Sequence, residues 1–214
     1  MLRIPRLTRQ YLLSALAVAS AVAAAPVVRA ALDKRPNYAL AALPAPGTQL
    51  PHIRLPMLSG DTMTAETYRG HPVVYALWSL DCGVSRAALA GIEQLRLDYA
   101  KRGVAVVLLS DDGDTTALRR TMSAARVALP IAYANGTLRR LFDNAKHAPE
   151  RTKYRVIFGL PSFLVADAHG VITHRETGIP LDEIRAQRVR LTGVRGKLDS
   201  MVAGVGVGVG TSPE

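Results

Sequence analysis

The chain has 214 residues, 49% of them apolar and 5% aromatic, with 27 lysines and arginines against 17 aspartates and glutamates and a formal net charge of +10. That length and apolar content supply one sizeable core and exclude wholesale disorder, while a single cysteine excludes a fold stapled by internal disulfides. The bases, among them Arg119-Arg120, Arg139-Arg140, Arg185, Arg188 and Arg190, are scattered without interleaved aromatics, so a solvated basic surface is expected and nucleic acid is not an expected partner.

In chain order, Arg3, Arg6 and Arg9 precede a charge-free run from Tyr11 to Val28 that closes on Val28-Arg29-Ala30. This is the layout of an export signal, and its length leaves an uncleaved inner-membrane anchor through residues 11–28 as the alternative. Either way the arginine-rich end stays in the cytoplasm and the remainder crosses. Removing residues 1–30 takes four arginines and no acid, leaving 23 basic against 17 acidic residues, so much of the net charge is targeting. Residues 31–48 are rich in alanine and proline and read as a tether. Residues 49–200 then hold the folded domain, and 201–214, with GVGVGVG from Gly204 to Gly210, read as a flexible tail.

Within the domain, His52-Ile53-Arg54-Leu55 and Met63-Thr64 flank the turn signal Ser59-Gly60-Asp61, which predicts an opening hairpin. Val73 to Trp78 is a continuous apolar run of strand length, expected where both faces are covered. After Cys82, Ala88, Ile92, Leu95 and Tyr99 recur at helical spacing, and Lys101-Arg102-Gly103 supplies a stop. The cysteine therefore falls at a strand-to-helix junction. Val104 to Leu109 reads as a second buried strand, followed by the acidic turn Asp111-Asp112-Gly113-Asp114 and a helix carrying Leu118, Met122 and Ala125 on one side. The βαβα order favours parallel strands here. Phe163 to Ala166 and Val171 to Thr173, joined by Asp167-Ala168-His169-Gly170, predict an antiparallel hairpin, and a last helix begins near Leu181 with Arg185, Arg188 and Arg190 further along it. The fold class is α/β, a mixed central sheet with helices on both faces.

Export usually goes with paired cysteines, so the lone Cys82 is either buried and inert or available to another molecule. The segment VVYALWSLDCGVSR, Val73 to Arg86, resembles the strand, tryptophan and active-site turn of thioredoxin-fold redoxins of the TlpA/ResA type, VV-x-x-FWA-x-WC-x-x-CR. GLPSFLVADAHGVI, Gly159 to Ile172, resembles the same family's G-x-P-T-x-F-L-I-D-x-x-G-x-I segment, with Pro161 at the cis-proline position. The resemblance implies a thioredoxin fold with an N-terminal hairpin and a central insertion, catalytic positions at Cys82 and Ser85, and substrate contacts from Trp78, Asp81, Gly83, Val84, Leu160 and Pro161. It also implies a periplasmic place, with protein thiols and disulfides or a small thiol as partners. Ser85 stands where the family has its resolving cysteine, giving CxxS in place of CxxC, and Asp81 replaces a tryptophan.

A first thiolate can attack a disulfide, but a serine cannot release the resulting mixed disulfide, so release must come from an external thiol. A helix N-terminus and the Ser85 hydroxyl favour a Cys82 thiolate, whereas the neighbouring Asp81 charge opposes it. Two other readings stay open: a redox-silent module that binds exported proteins beside Pro161, and a peroxidase in which Ser79, three before Cys82, takes the motif hydroxyl although Tyr75 stands where that motif has proline. Trp78 is read first as core packing beside the site. His52, His71, His147, His169 and His174 form no ligand-spaced set with Cys82, so no metal and no cofactor is expected.

Overall fold

In a computed structural model, the described residues are 43–142 and 159–205. Residues 1–42, 143–158 and 206–214 lie outside them, together with the export signal or anchor, most of the tether and the tail expected there. Among the described residues no helix is long and apolar enough to cross a membrane.

The central strand is β3, Val73–Trp78, buried at every position because both of its faces are covered. It pairs in parallel with β4, Ala105–Ser110, and antiparallel with β6, Ser162–Ala166. The outer strands are β5, Ile131–Tyr133, parallel to β4, and β7, Ile172–Thr177, antiparallel to β6. The sheet order is β5-β4-β3-β6-β7, the mixed sheet expected, and a separate antiparallel pair, β1 (Arg54–Pro56) and β2 (Thr62–Thr64), forms the opening hairpin.

Alternation along the strands divides the core into two layers. Val74, Ala76, Trp78, Val106, Leu108, Phe163 and Val165 point to the layer filled by helices α1 (Gly83–Ala100), α2 (Thr115–Ala125) and α5 (Thr192–Val205). Tyr75, Leu77, Val107, Leu109 and Leu164 point to the other, closed by Leu55, Met63, Leu43 and helix α3 (Leu138–Phe142). The start of α2 is fixed by Asp114, whose carboxylate accepts the Thr116 and Ala117 N–H groups, so one acid of the predicted turn is a helix cap.

Both sheet edges are engaged by chain that precedes β3. Leu58 donates its N–H to Ile131 O (2.9 Å) beside a Met57–Ala132 bridge, and Ile172 exchanges bonds with Gly47 and Thr48 at 2.7 and 2.8 Å. Such cover removes open ladder groups that would otherwise template pairing with another chain.

The single last helix expected from Leu181 is two. Helix α4 is only Leu181–Arg185, and the chain passes through left-handed backbone at Gln187 (φ 50°) and Leu191 (φ 54°) before α5, so Arg188 and Arg190 sit in a connection. Glu183 holds that connection, accepting Arg188 N–H on its carbonyl (2.9 Å) and Arg190 N–H on its carboxylate (2.6 Å). Helix α5 continues to Val205, past the boundary at 200 drawn from composition.

The connection presses on α1 at Gly91, where an added Cβ would lie 2.5 Å from Val189 O and 2.9 Å from Val189 Cβ. Because the obstacle is backbone, the overlap is not relieved by a rotamer change. Gly91→Ala is expected to lower stability by about 1–3 kcal/mol in urea unfolding, in the range of overpacked cores. An unchanged midpoint would show that the connection yields freely.

Candidate active site

Cys82 is the N-cap of α1, with extended backbone (φ −93°, ψ 112°) and its carbonyl accepting the Arg86 N–H at 3.0 Å. β3 ends four residues earlier, and a tight turn in which Cys82 N–H reaches Ser79 O (3.4 Å) carries the chain into the helix. The sulfur is partly buried and donates its proton to the carbonyl of Leu160 at 3.2 Å, across 78 positions of sequence. The Leu160–Pro161 peptide is cis, and Gly178 donates its N–H to Pro161 O at 2.8 Å, setting the turn after β7 beside this loop. The two segments singled out in the sequence therefore meet at the sulfur.

The frame beneath is apolar. Trp78 is fully buried and its Nε1–H donates to the carbonyl of Ser85 at 2.6 Å, pinning the first turn of α1 to the end of β3. Its ring belongs to the core, as first read, and offers no exposed face to a substrate. Ser85 is also fully buried, and among the described residues its hydroxyl has no geometrically formed hydrogen bond. Around the sulfur, Asp81 and Gly83 are exposed, Val84 and Leu160 are half-buried, and Pro161 is buried.

Two opposed influences act on the Cys82 thiol. Burial pushes its pKa up, but the Ser85 hydroxyl, the backbone N–H groups of Ser85 and Val84, and the Arg86 guanidinium together hold it below the ordinary cysteine value. The Ser85 hydroxyl, without another partner among the described residues, is thus available as a donor to the ionised sulfur. Asp81 is exposed and its charge does not reverse the balance. Arg86 was not among the residues selected from sequence. It lies on the first turn of α1, donates to Leu80 O, and adds a positive charge near the sulfur.

Other candidates fall outside this arrangement. Ser79 spends its hydroxyl on Asp112 (3.2 Å) and on the Asp81 N–H (3.2 Å), not on the sulfur. His174 lies 3.4 Å from Glu176, and no group of three or more possible metal ligands occurs among the described residues.

Residues 46–175 match the AhpC/TSA family. The chain belongs to the AhpC/TSA family. No curated protein matches this AhpC/TSA member. Among solved structures it is similar to a thiol-disulfide oxidoreductase from Bacteroides fragilis NCTC 9343, with 21% identity, TM-score 0.51, and cover of 71% of this chain and 99% of that one. The thioredoxin domain of a thiol-disulfide oxidoreductase from Bacteroides vulgatus gives 15% identity, TM-score 0.52, and cover of 63% and 90%. A thiol:disulfide interchange protein of the thioredoxin family from Chlorobium tepidum TLS gives 20%, 0.50, and cover of 62% and 87%. At these identities the likeness establishes the fold of this AhpC/TSA protein, which is that of thioredoxin.

Proposed function

We propose that this AhpC/TSA family member works outside the cytoplasm in thiol-disulfide exchange through Cys82 alone. The Cys82 thiolate attacks one sulfur of a partner disulfide, forming a mixed disulfide while the partner's other sulfur leaves as a thiolate. An external thiolate then attacks the mixed disulfide, takes over the bond to the partner, and returns Cys82 to its starting state. No step calls on Ser85 as a nucleophile. Partners are exported protein disulfides or a small thiol, held with their backbone against Leu160. The export layout of residues 1–30 supports the location, and the solved relatives' printed names as thiol-disulfide oxidoreductases support the chemistry.

The observation that carries this reading is a partly exposed sulfur at the start of an 18-residue helix, with its pKa held down and a backbone carbonyl 3.2 Å away. Incubating the full chain with oxidised glutathione is expected to yield a glutathione adduct on Cys82 by mass spectrometry, absent in Cys82→Ala and removed by added reduced glutathione. If Cys82 of the folded chain takes up no glutathione while the urea-unfolded chain does, the site is inert and the redox-silent binding role takes its place.

A further inference from the structure

The turn that follows β4 fastens the segments on both of its sides. Asp111 accepts the Leu138 N–H at 2.9 Å and ties down α3. Asp112 turns the other way, toward the residues that lead to Cys82. Its Oδ2 accepts the Leu80 N–H (2.8 Å) and the buried Ser110 hydroxyl (2.6 Å), and its Oδ1 accepts the Ser79 hydroxyl (3.2 Å). Ser79 Oγ in turn accepts the Asp81 N–H at 3.2 Å, and Ser79 O accepts the Cys82 N–H at 3.4 Å. Every residue between β3 and the sulfur is therefore bonded into one network, and a single carboxylate from the turn after β4 sits at its centre.

We infer that Asp112 is the positioning residue of Cys82: its hydrogen bonds to Ser79 and Leu80 set the turn that places the sulfur at the helix N-terminus. The inference rests on the thiol-exchange reading and extends it to a residue that never touches the sulfur. The turn that the carboxylate holds keeps the sulfur against the Ser85 and Val84 N–H groups that favour a thiolate, so its hydrogen bonds and its charge can be removed separately. Asparagine removes the charge but retains an acceptor for the Leu80 N–H and an amide that can donate to Ser79 Oγ. Alanine removes everything.

The experiment is the pH dependence of Cys82 alkylation by iodoacetamide in the full chain, read with thermal unfolding. Asp112→Ala is expected to move the midpoint up by about one pH unit, which slows alkylation near neutrality about tenfold, because a unit of pKa is a factor of ten in thiolate. Asp112→Asn is expected at or below the wild-type midpoint. A purely structural role would lower the unfolding temperature of Asp112→Ala and leave its midpoint in place, and that result overturns the inference. Should Asp112→Ala not fold, Ser79→Ala removes one donor from the same network: a smaller upward shift supports the inference and an unmoved midpoint overturns it. A wild-type Cys82 that does not alkylate sinks the exchange reading and this inference together, whereas a reactive wild type beside an indifferent Asp112→Ala sinks the inference alone.

Discussion

Ser85→Cys is expected to turn a capturing site into a releasing one. Position 85 lies one turn beyond Cys82, is fully buried, and its hydroxyl has no partner besides the ionised Cys82 sulfur, so the exchange of oxygen for sulfur breaks no other hydrogen bond. A thiol there would attack a mixed disulfide on Cys82 intramolecularly, at an effective concentration on the order of millimolar or above, against which an external thiol competes poorly. With oxidised glutathione the wild type should accumulate the adduct. Ser85→Cys should show little adduct and an internal Cys82–residue 85 disulfide, seen as the loss of two hydrogens. An adduct as long-lived in Ser85→Cys as in the wild type would mean that the two positions do not face each other, and the account of the missing second sulfur would fail.

Trp78→Ala carries the largest expected loss of stability. The indole is fully buried and its N–H is bonded to Ser85 O at 2.6 Å, so truncation leaves a cavity and an unmatched first turn of α1. Large aromatic truncations of this kind cost about 3–5 kcal/mol, a large share of the stability of a domain this size. Trp78→Phe keeps most of the volume and loses the hydrogen bond, and should cost less. Because Ser85 stands between Trp78 and the sulfur, both variants should also slow Cys82 alkylation under conditions where they remain folded. Urea unfolding followed by alkylation of the folded state checks both halves, and an unaltered midpoint for Trp78→Ala would contradict the placement of the ring.

The parts of the fold read directly from sequence are those whose periodicity had one solution. Val73 to Trp78 and Val104 to Leu109 are unbroken apolar runs because each is covered on two sides, and the link Asp167 to Gly170 is too short for anything but a hairpin. β5 has three residues and α3 has five, too few to show a period. The break between α4 and α5 left no trace, because its left-handed residues are Gln187 and Leu191, not glycine or asparagine. At the site, the junction position of Cys82 was visible in the change of period, but its meeting with Leu160 came through a family resemblance, since no spacing rule brings residues 78 apart together. The direction of the Cys82 pKa was undecided between Asp81 and Ser85 until burial and orientation were known. The sequence places Asp112 in an acidic turn, and only the fold shows its carboxylate turned onto the backbone at Leu80.

The most direct test of a single working sulfur is the pH profile of Cys82 alkylation in the folded wild-type chain, set against the same chain unfolded in urea. Alkylation follows the thiolate, whose fraction rises as pH passes the pKa, so a depressed pKa places the folded midpoint to the acid side of the unfolded one, which lies at about 8.5. A folded midpoint below the unfolded value, reached with an unhindered plateau rate, is the result this account predicts. A folded midpoint at or above the unfolded value, or a plateau that never develops, would contradict it.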